Sequence, residues 1–172
     1  MDQERMEVFL GKYRETPPAY IVELERQALA DEVPVIRRGT RDVLRFLLRT
    51  GRPAQVLEVG TAIGYSALCM KEYLPETSRI TTIEKVEMRL VEARKNLKKF
   101  DSEGRITLLE GDAADVLRGL VEQGKSYDFI FMDAAKGQYL NFLPDVLELL
   151  SEGGTLVSDN ILHEGDVLES RY

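Results

Sequence analysis

One cysteine, Cys69, in 172 residues rules out an internal disulfide. It stands in a helical stretch and reads as packing rather than as a nucleophile. Long apolar runs are missing, and the N-terminus Met-Asp-Gln-Glu-Arg is charged. Neither a membrane span nor a signal peptide is legible there, so the expectation is a cytoplasmic protein. Cationic excess is missing as well. A formal net charge of −7 argues against broad, non-specific nucleic-acid binding, while leaving room for a local basic patch. No repeat, low-complexity tract or Gly/Ser linker divides the chain. Its 172 residues, 44% of them hydrophobic, fit a single domain over 1–172 with a sizeable core.

Residues 1–50 lack strand signals and read as helices, interrupted at Pro17-Pro18 and near Val33-Pro34. From Gln55 the pattern changes. Strands are expected near 55–59, 79–84, 105–110, 127–133 and 154–159, with helices near 64–74, 86–100, 113–123 and 138–150. Strand and helix alternating through short connections imply an α/β fold with a mainly parallel sheet, helices on both faces and right-handed crossovers. The Rossmann-like core would occupy 55–160, behind a helical N-terminal extension.

Where strand one turns into its helix stands Glu58-Val-Gly60-Thr-Ala-Ile-Gly64-Tyr-Ser66. Gly60 suits a tight turn open to a ligand, and Gly64 suits close packing of that turn. The dinucleotide pattern G-x-G-x-x-G is not met, because Ala62 and Tyr65 hold the second and third glycine positions. This counts against a nicotinamide cofactor. Glu84 ends strand two, 24 residues after Gly60, where a carboxylate can accept ribose hydroxyls. Gly111-Asp112-Ala113 ends strand three and could hold an adenine edge. Together these make a nucleoside site without an obvious pyrophosphate cradle.

The most informative stretch is Tyr127-Asp-Phe-Ile-Phe-Met-Asp133-Ala-Ala-Lys136 with Gly154-Thr-Leu-Val-Ser-Asp159-Asn160. If these strands are parallel neighbours, their carboxyl ends bring Asp133, Asp159 and Asn160 together, where such sheets bind ligands. Two carboxylates and an amide oxygen suit Mg²⁺. Lys136, one helical turn beyond Asp133, places an amine beside that site. A divalent ion nearby would lower its pKa towards that of a useful base. His163, Tyr65 and Tyr139 are assigned no chemistry.

These motifs, in this order, resemble the metal-dependent S-adenosylmethionine O-methyltransferases, which include the catechol and caffeoyl-CoA enzymes. The likeness rests on Glu58 to Ser66, Ile-Glu84, Gly-Asp112-Ala113, Asp133-Ala-Ala-Lys136-Gly-Gln-Tyr139 and Asp159-Asn160, and spans about residues 33 to 165. Within the family, Asp-Ala-Ala-Lys-Gly-Gln-Tyr looks most like the bacterial branch that converts 5-hydroxyuridine in tRNA to 5-methoxyuridine. The resemblance implies a class I methyltransferase fold. It also implies that Ile36, Gly60, Ser66, Glu84, Asp112, Ala113 and Asp133 contact S-adenosylmethionine, that Asp133, Asp159 and Asn160 bind Mg²⁺, and that Lys136 is the base.

Family members continue into two further strands and a helix, whereas this sequence stops at Tyr172. A truncated chain, or a homodimer in which a second subunit covers the edge of strand 154–159, is expected on that ground. Arg37, Arg41, Arg45 and Arg49 recur every four residues, in a segment with six arginines and one acid, Asp42. On a helix they would form an outward basic stripe, with Val43, Phe46 and Leu47 on the buried side. That stripe reads either as a solvated face or as a phosphate-contacting ridge for RNA. The expected function is Mg²⁺-dependent O-methyl transfer to 5-hydroxyuridine in tRNA. The alternatives are a small-molecule catechol-type methyltransferase and a non-catalytic nucleoside- or RNA-binding module.

Overall fold

The computed structural model describes residues 3–161; His163 lies outside them. Three helices come first: α1 (Gln3–Gly11), α2 (Ala19–Ala30) and α3 (Arg38–Gly51). Strands and helices then alternate as β1 (Gln55–Val59), α4 (Tyr65–Tyr73), β2 (Arg79–Glu84), α5 (Glu87–Phe100), β3 (Ile106–Glu110), α6 (Ala113–Glu122), β4 (Tyr127–Met132), a 3₁₀ turn (Lys136–Gln138), α7 (Tyr139–Leu149) and β5 (Leu150–Ser158). All strand pairs are parallel, in the order β3-β2-β1-β4-β5. The order reverses at β1 and β4, the point at which doubly wound sheets open a crevice for ligands. This is the Rossmann-like architecture expected. Among the described residues no helix is long and apolar enough to cross a membrane.

Alternation along β1 sorts the core into two layers. Val56 points to the side packed by α2, α3 and α4, and Leu57 and Val59 point to the side packed by α6 and α7. Glu58 therefore projects from the same face as Val56 and is fully buried.

β5 starts earlier than the sequence pattern suggests. Tyr127 pairs with Leu150 and Phe129 with Thr155, so two residue steps on β4 face five on β5. The surplus is taken up by Ser151 to Gly154, where Gly153 is left-handed at φ +77° and a Cβ on Gly154 would lie 2.8 Å from the Ser151 carbonyl oxygen. The regular ladder resumes at Thr155, which is why the apolar pattern becomes legible only there. β5 lies at the edge of the sheet, and its side chains are only partly buried.

Helix α3 departs from the expectation at Arg41, Val43 and Phe46, while Leu47 packs against the core as expected. Its buried residues are Arg41, Leu44 and Leu48, while Val43 is 53% and Phe46 66% exposed. Acids contributed by earlier elements account for this. Glu15 accepts from Arg49 at 2.8 Å and from Arg45 at 3.2 Å. Glu25 accepts from Arg38 at 2.9 Å and pairs with Arg41 at 3.4 Å. Hydrogen bonding from Arg49 holds the Glu15 carboxyl below its ordinary value. Arg38, Arg41, Arg45 and Arg49 thus meet acids of their own chain.

Arg41 also donates to the Tyr65 hydroxyl at 2.9 Å, which ties α3 to the first residue of α4. Tyr65→Phe would leave this buried guanidinium with Glu25 as its remaining partner. Urea unfolding of that variant is expected to show a loss of about 1–3 kcal/mol, the range for a buried donor deprived of its acceptor. An unchanged midpoint and slope would show that the bond contributes nothing net.

Candidate functional site

The β1–α4 turn needs left-handed backbone at three positions. Gly60 has φ +107°, Ala62 +46° and Gly64 +86°. Alanine at the middle one accepts a conformation that costs an L-residue roughly 1–2 kcal/mol, and its N–H donates to Glu84 Oε2 at 2.9 Å. The reason for Gly64 differs from the packing expected. A Cβ there would meet Leu97 at an ordinary 3.5 Å, so the torsion is what demands glycine. At Gly60 the constraint is space: a Cβ would lie 2.1 Å from the Asp133 carbonyl oxygen.

Glu84 closes β2 and is 6% exposed. Besides Ala62, it accepts from the N–H groups of Lys85 and Val86, both at 2.9 Å. A carboxylate offers about four acceptor sites, so roughly one is left for a ligand. Asp112 caps α6 by accepting the Ala114 N–H at 3.0 Å and pairs with Lys85 at 2.9 Å. Hydrogen bonding from Lys85, then from Ala114, holds its carboxyl below the ordinary value.

Asp133 and Asp159 directly follow the paired residues Met132 and Ser158. The Asp133 N–H donates to the Val59 carbonyl and the Asp159 N–H to the Met132 carbonyl, each at 2.9 Å. Both acids are thereby fixed at neighbouring strand ends, as the sequence suggested. Asn160 is left-handed at φ +55°, and its N–H donates to Asp159 Oδ1 at 2.8 Å. Among the described residues no group of three or more His, Cys, Asp or Glu is placed to hold a metal. A cation here would therefore rest on two carboxylates, an amide oxygen and outside ligands such as water. Lys136 begins the 3₁₀ turn after Asp133, and its side chain lies outside the described structure.

A cavity of about 850 Å³ joins these parts. Ile36, Gly60, Ser66, Glu84, Asp112, Ala113, Asp133, Asp159 and Asn160 all line it. Tyr65 lines it as well; Tyr139 instead places its hydroxyl near the carbonyls of Met132 and Asp159.

Sequence reasoning gave Glu58 no separate role. Its Oε2 accepts from the Thr82 hydroxyl at 2.5 Å, and Thr82 Oγ1 lies 2.6 Å from Thr61 Oγ1. Its Oε1 has no hydrogen-bond partner among the described residues. Burial pushes this carboxyl up to about 7, against hydrogen bonds from Ser66 and Thr82, while Asp133 and Glu84 add like-charge repulsion. The available signal was an acid at an inward position of an otherwise apolar strand. Cys69 is buried and its thiol is pushed up to about 12, chiefly by burial, which agrees with inert packing.

A family model described as O-methyltransferase matches residues 16–171. A catechol O-methyltransferase of Niastella koreensis is 33% identical over 127 residues, which cover 73% of this chain and 58% of that protein. A caffeoyl-CoA O-methyltransferase of Stellaria longipes is 34% identical over 128 residues, covering 73% and 53%. The chain thus spans little more than half the length of these curated relatives. Among solved structures, an SAH-bound methyltransferase of Podospora anserina is 28% identical with a TM-score of 0.87, covering 98% of this chain and 74% of that one. The O-methyltransferase of Bacillus cereus in complex with SAH has a TM-score of 0.88 at 23% identity, covering 98% and 78%, and speaks for the fold alone.

The buried Glu58 predicts a pH dependence. The folded protein keeps this proton to about pH 7, whereas the unfolded chain releases it near the ordinary carboxyl value of 4.5. Between those values the folded state binds more protons, so this group's contribution to stability falls as pH rises. Glu58→Gln should remove that slope. Relative to the variant, wild type is expected to lose about 1–3 kcal/mol between about pH 5 and pH 8. Parallel stability curves from urea titrations would mean that Glu58 is ionised throughout.

Proposed function

The chain belongs to the O-methyltransferase family, and on that premise we propose that it carries out S-adenosylmethionine-dependent methyl transfer to a substrate hydroxyl with a second oxygen beside it. The observation that carries this reading is one cavity with two chemically different ends. Glu84, Gly111, Asp112 and Ala113 suit a nucleoside, and Asp133, Asp159 and Asn160 suit a hard cation. S-adenosylmethionine would supply the methyl group as a sulfonium, held by Ile36, Gly60, Ser66, Glu84, Asp112, Ala113 and Asp133.

Asp133, Asp159 and Asn160 would hold Mg²⁺, the oxygen chemistry of the set fitting that ion. Mg²⁺ bound there supplies a positive charge that lowers the pKa of an adjacent hydroxyl. Lys136 is the proposed base that takes the proton. Ile36, Tyr65 and Phe142 contribute apolar wall, which limits water around the reacting groups. Fixing the two reactants in one cavity supplies much of the rate.

For the substrate we favour a small aromatic with vicinal oxygens, in keeping with the catechol and caffeoyl-CoA enzymes among the relatives. The second reading is 5-hydroxyuridine in tRNA, whose 5-hydroxyl and 4-carbonyl offer the same oxygen pair. The motif block around Asp133 and the cations Arg37 and Arg89 at the cavity favour it. Of the arginine row, only Arg37 gives it support, because Glu15 and Glu25 already engage Arg41, Arg45 and Arg49. As to partners, we propose a homodimer in which a second copy covers the outer edge of β5, which lies at the edge of the sheet. Sedimentation at micromolar concentration giving only monomer would reject it.

The test is transfer of labelled methyl from S-adenosylmethionine to catechol, and separately to tRNA from cells lacking the modification. Label on catechol alone supports the first substrate, and label in 5-methoxyuridine the second. Label on neither, with cofactor still bound, would leave the non-catalytic module. Transfer should stop on chelation and return with Mg²⁺, and Asp159→Ala should need far more metal. Full turnover in excess chelator would sink the metal reading. Calorimetry of Glu84→Ala should show cofactor binding weakened by about 1.5–3 kcal/mol, the loss of a charged acceptor. Equal affinity would remove Glu84 from the site.

A further inference from the structure

The Tyr139 hydroxyl lies 3.0 Å from the Met132 carbonyl oxygen and 3.2 Å from that of Asp159. A phenol carries one proton, so the two carbonyls share it in a three-centred bond. Their positions in the chain give the contact its meaning. The Met132 carbonyl belongs to the peptide bond that leads into Asp133, and the Asp159 carbonyl to the one that leads into Asn160. The Met132 oxygen also accepts the Asp159 N–H at 2.9 Å. The ends of β4 and β5 are therefore stitched twice, once by backbone and once through the phenol.

The ring is anchored from behind. Tyr139 opens α7 and packs against the core layer that contains Met132, Phe142 and Val146. Its hydroxyl thus acts from a fixed base. Such a strut matters at this point, because the β4–β5 ladder ends at Met132 and Ser158 and Asn160 turns into a left-handed conformation at φ +55°. β5 also lies at the sheet edge. Oxygen donors for a hard cation must be spaced to within a few tenths of an ångström, and an edge strand running into a turn does not hold that spacing unaided.

We propose that Tyr139 is a positioning residue whose hydroxyl clamps the ends of β4 and β5, and so sets the spacing of Asp133 from Asp159 and Asn160 for a divalent cation. The proposal rests on the reading of those three residues as a hard-cation site.

Tyr139→Phe removes the hydroxyl and keeps the ring, and Tyr139→Met fills the space if phenylalanine proves unstable. Mn²⁺ binding to the cofactor-free protein, followed by electron paramagnetic resonance, gives the first readout. Amide hydrogen exchange at Asp159 without metal gives the second. The dissociation constant for Mn²⁺ is expected to rise about 10–100-fold, the usual effect of losing a group that orients metal ligands, and the Asp159 amide should exchange faster. Cofactor affinity without metal should stay within about twofold of wild type. Val146→Ala, a core truncation in the same layer, controls for lost stability and should leave Mn²⁺ binding within about twofold. Equal Mn²⁺ affinity and equal Asp159 exchange in wild type and Tyr139→Phe would overturn the clamp while leaving the cation site intact. A wild-type protein that binds no Mn²⁺ would overturn the cation reading, and the proposal with it.

Discussion

The backbone contact between Gly60 and Asp133 is the constraint on which the rest of the site depends. Gly60 lies so close to the Asp133 carbonyl that no side chain fits, and the N–H of the same residue, just past the end of β4, donates to the Val59 carbonyl. On the other side, the N–H groups of Gly60 and Thr61 both donate to the Ile83 carbonyl, at 3.1 and 3.0 Å. The exit of β1 is thereby tied to β2 and β4 together. Glu84 follows Ile83, and Asp133 follows Met132, so the nucleoside-type end and the oxygen-donor end of the cavity share one anchor. A shift in the turn would move both.

Two polar clusters surround this anchor where apolar packing would have been less costly. Glu58, Thr82, Thr61 and Ser66 lie beneath the turn, and Glu25, Arg41 and Tyr65 lie beside it. Burying a charge costs several kcal/mol before its partners compensate. Both clusters converge on the first residues of α4, Tyr65 and Ser66, which line the cavity. The N-terminal helices therefore do more than cover one face of the sheet. Through Arg41 and the buried Ile36 they connect to the wall of the cavity.

What could be read in the sequence follows from where each signal resides. β1, β2, β3 and β4 were legible to within a residue, because each is a short apolar run ending on a turn or an oxygen-bearing side chain. Their neighbours in the sheet made Asp133, Asp159 and Asn160 converge, an expectation that needed only parallel pairing. The orientation of α3 was not legible. Arginines every fourth residue look like an outward stripe unless the acids that meet them are known, and Glu15 lies 30 residues before Arg45. The start of β5 was obscured by the extra residues before Gly154. Glu58 and Tyr139 were visible as letters, but their roles depend on groups brought to them by tertiary structure: Thr82 and Ser66 in one case, two strand-end carbonyls in the other.

The sign of the charge along the cavity discriminates between ligands more sharply than its shape does. Glu84, Asp112, Asp133 and Asp159 line it, and Glu58 is buried behind it. Of the cations on the same wall, Lys85 is already paired with Asp112. A dinucleotide would bring a doubly charged pyrophosphate to this turn, where a third left-handed position is filled by Ala62 and its N–H is spent on Glu84 rather than pointed at a phosphate. Repulsion from the acids would oppose such a ligand at this turn, with Arg37 and Arg89 elsewhere on the wall offsetting part of it. On the proposed reading both occupants are positive at their reacting centres, a sulfonium and a divalent ion, and each lowers the cost of holding so many carboxylates together. Glu58, buried behind them, shows that cost within the fold: burial pushes its carboxyl up to about 7, and the like charges of Asp133 and Glu84 add to the rise.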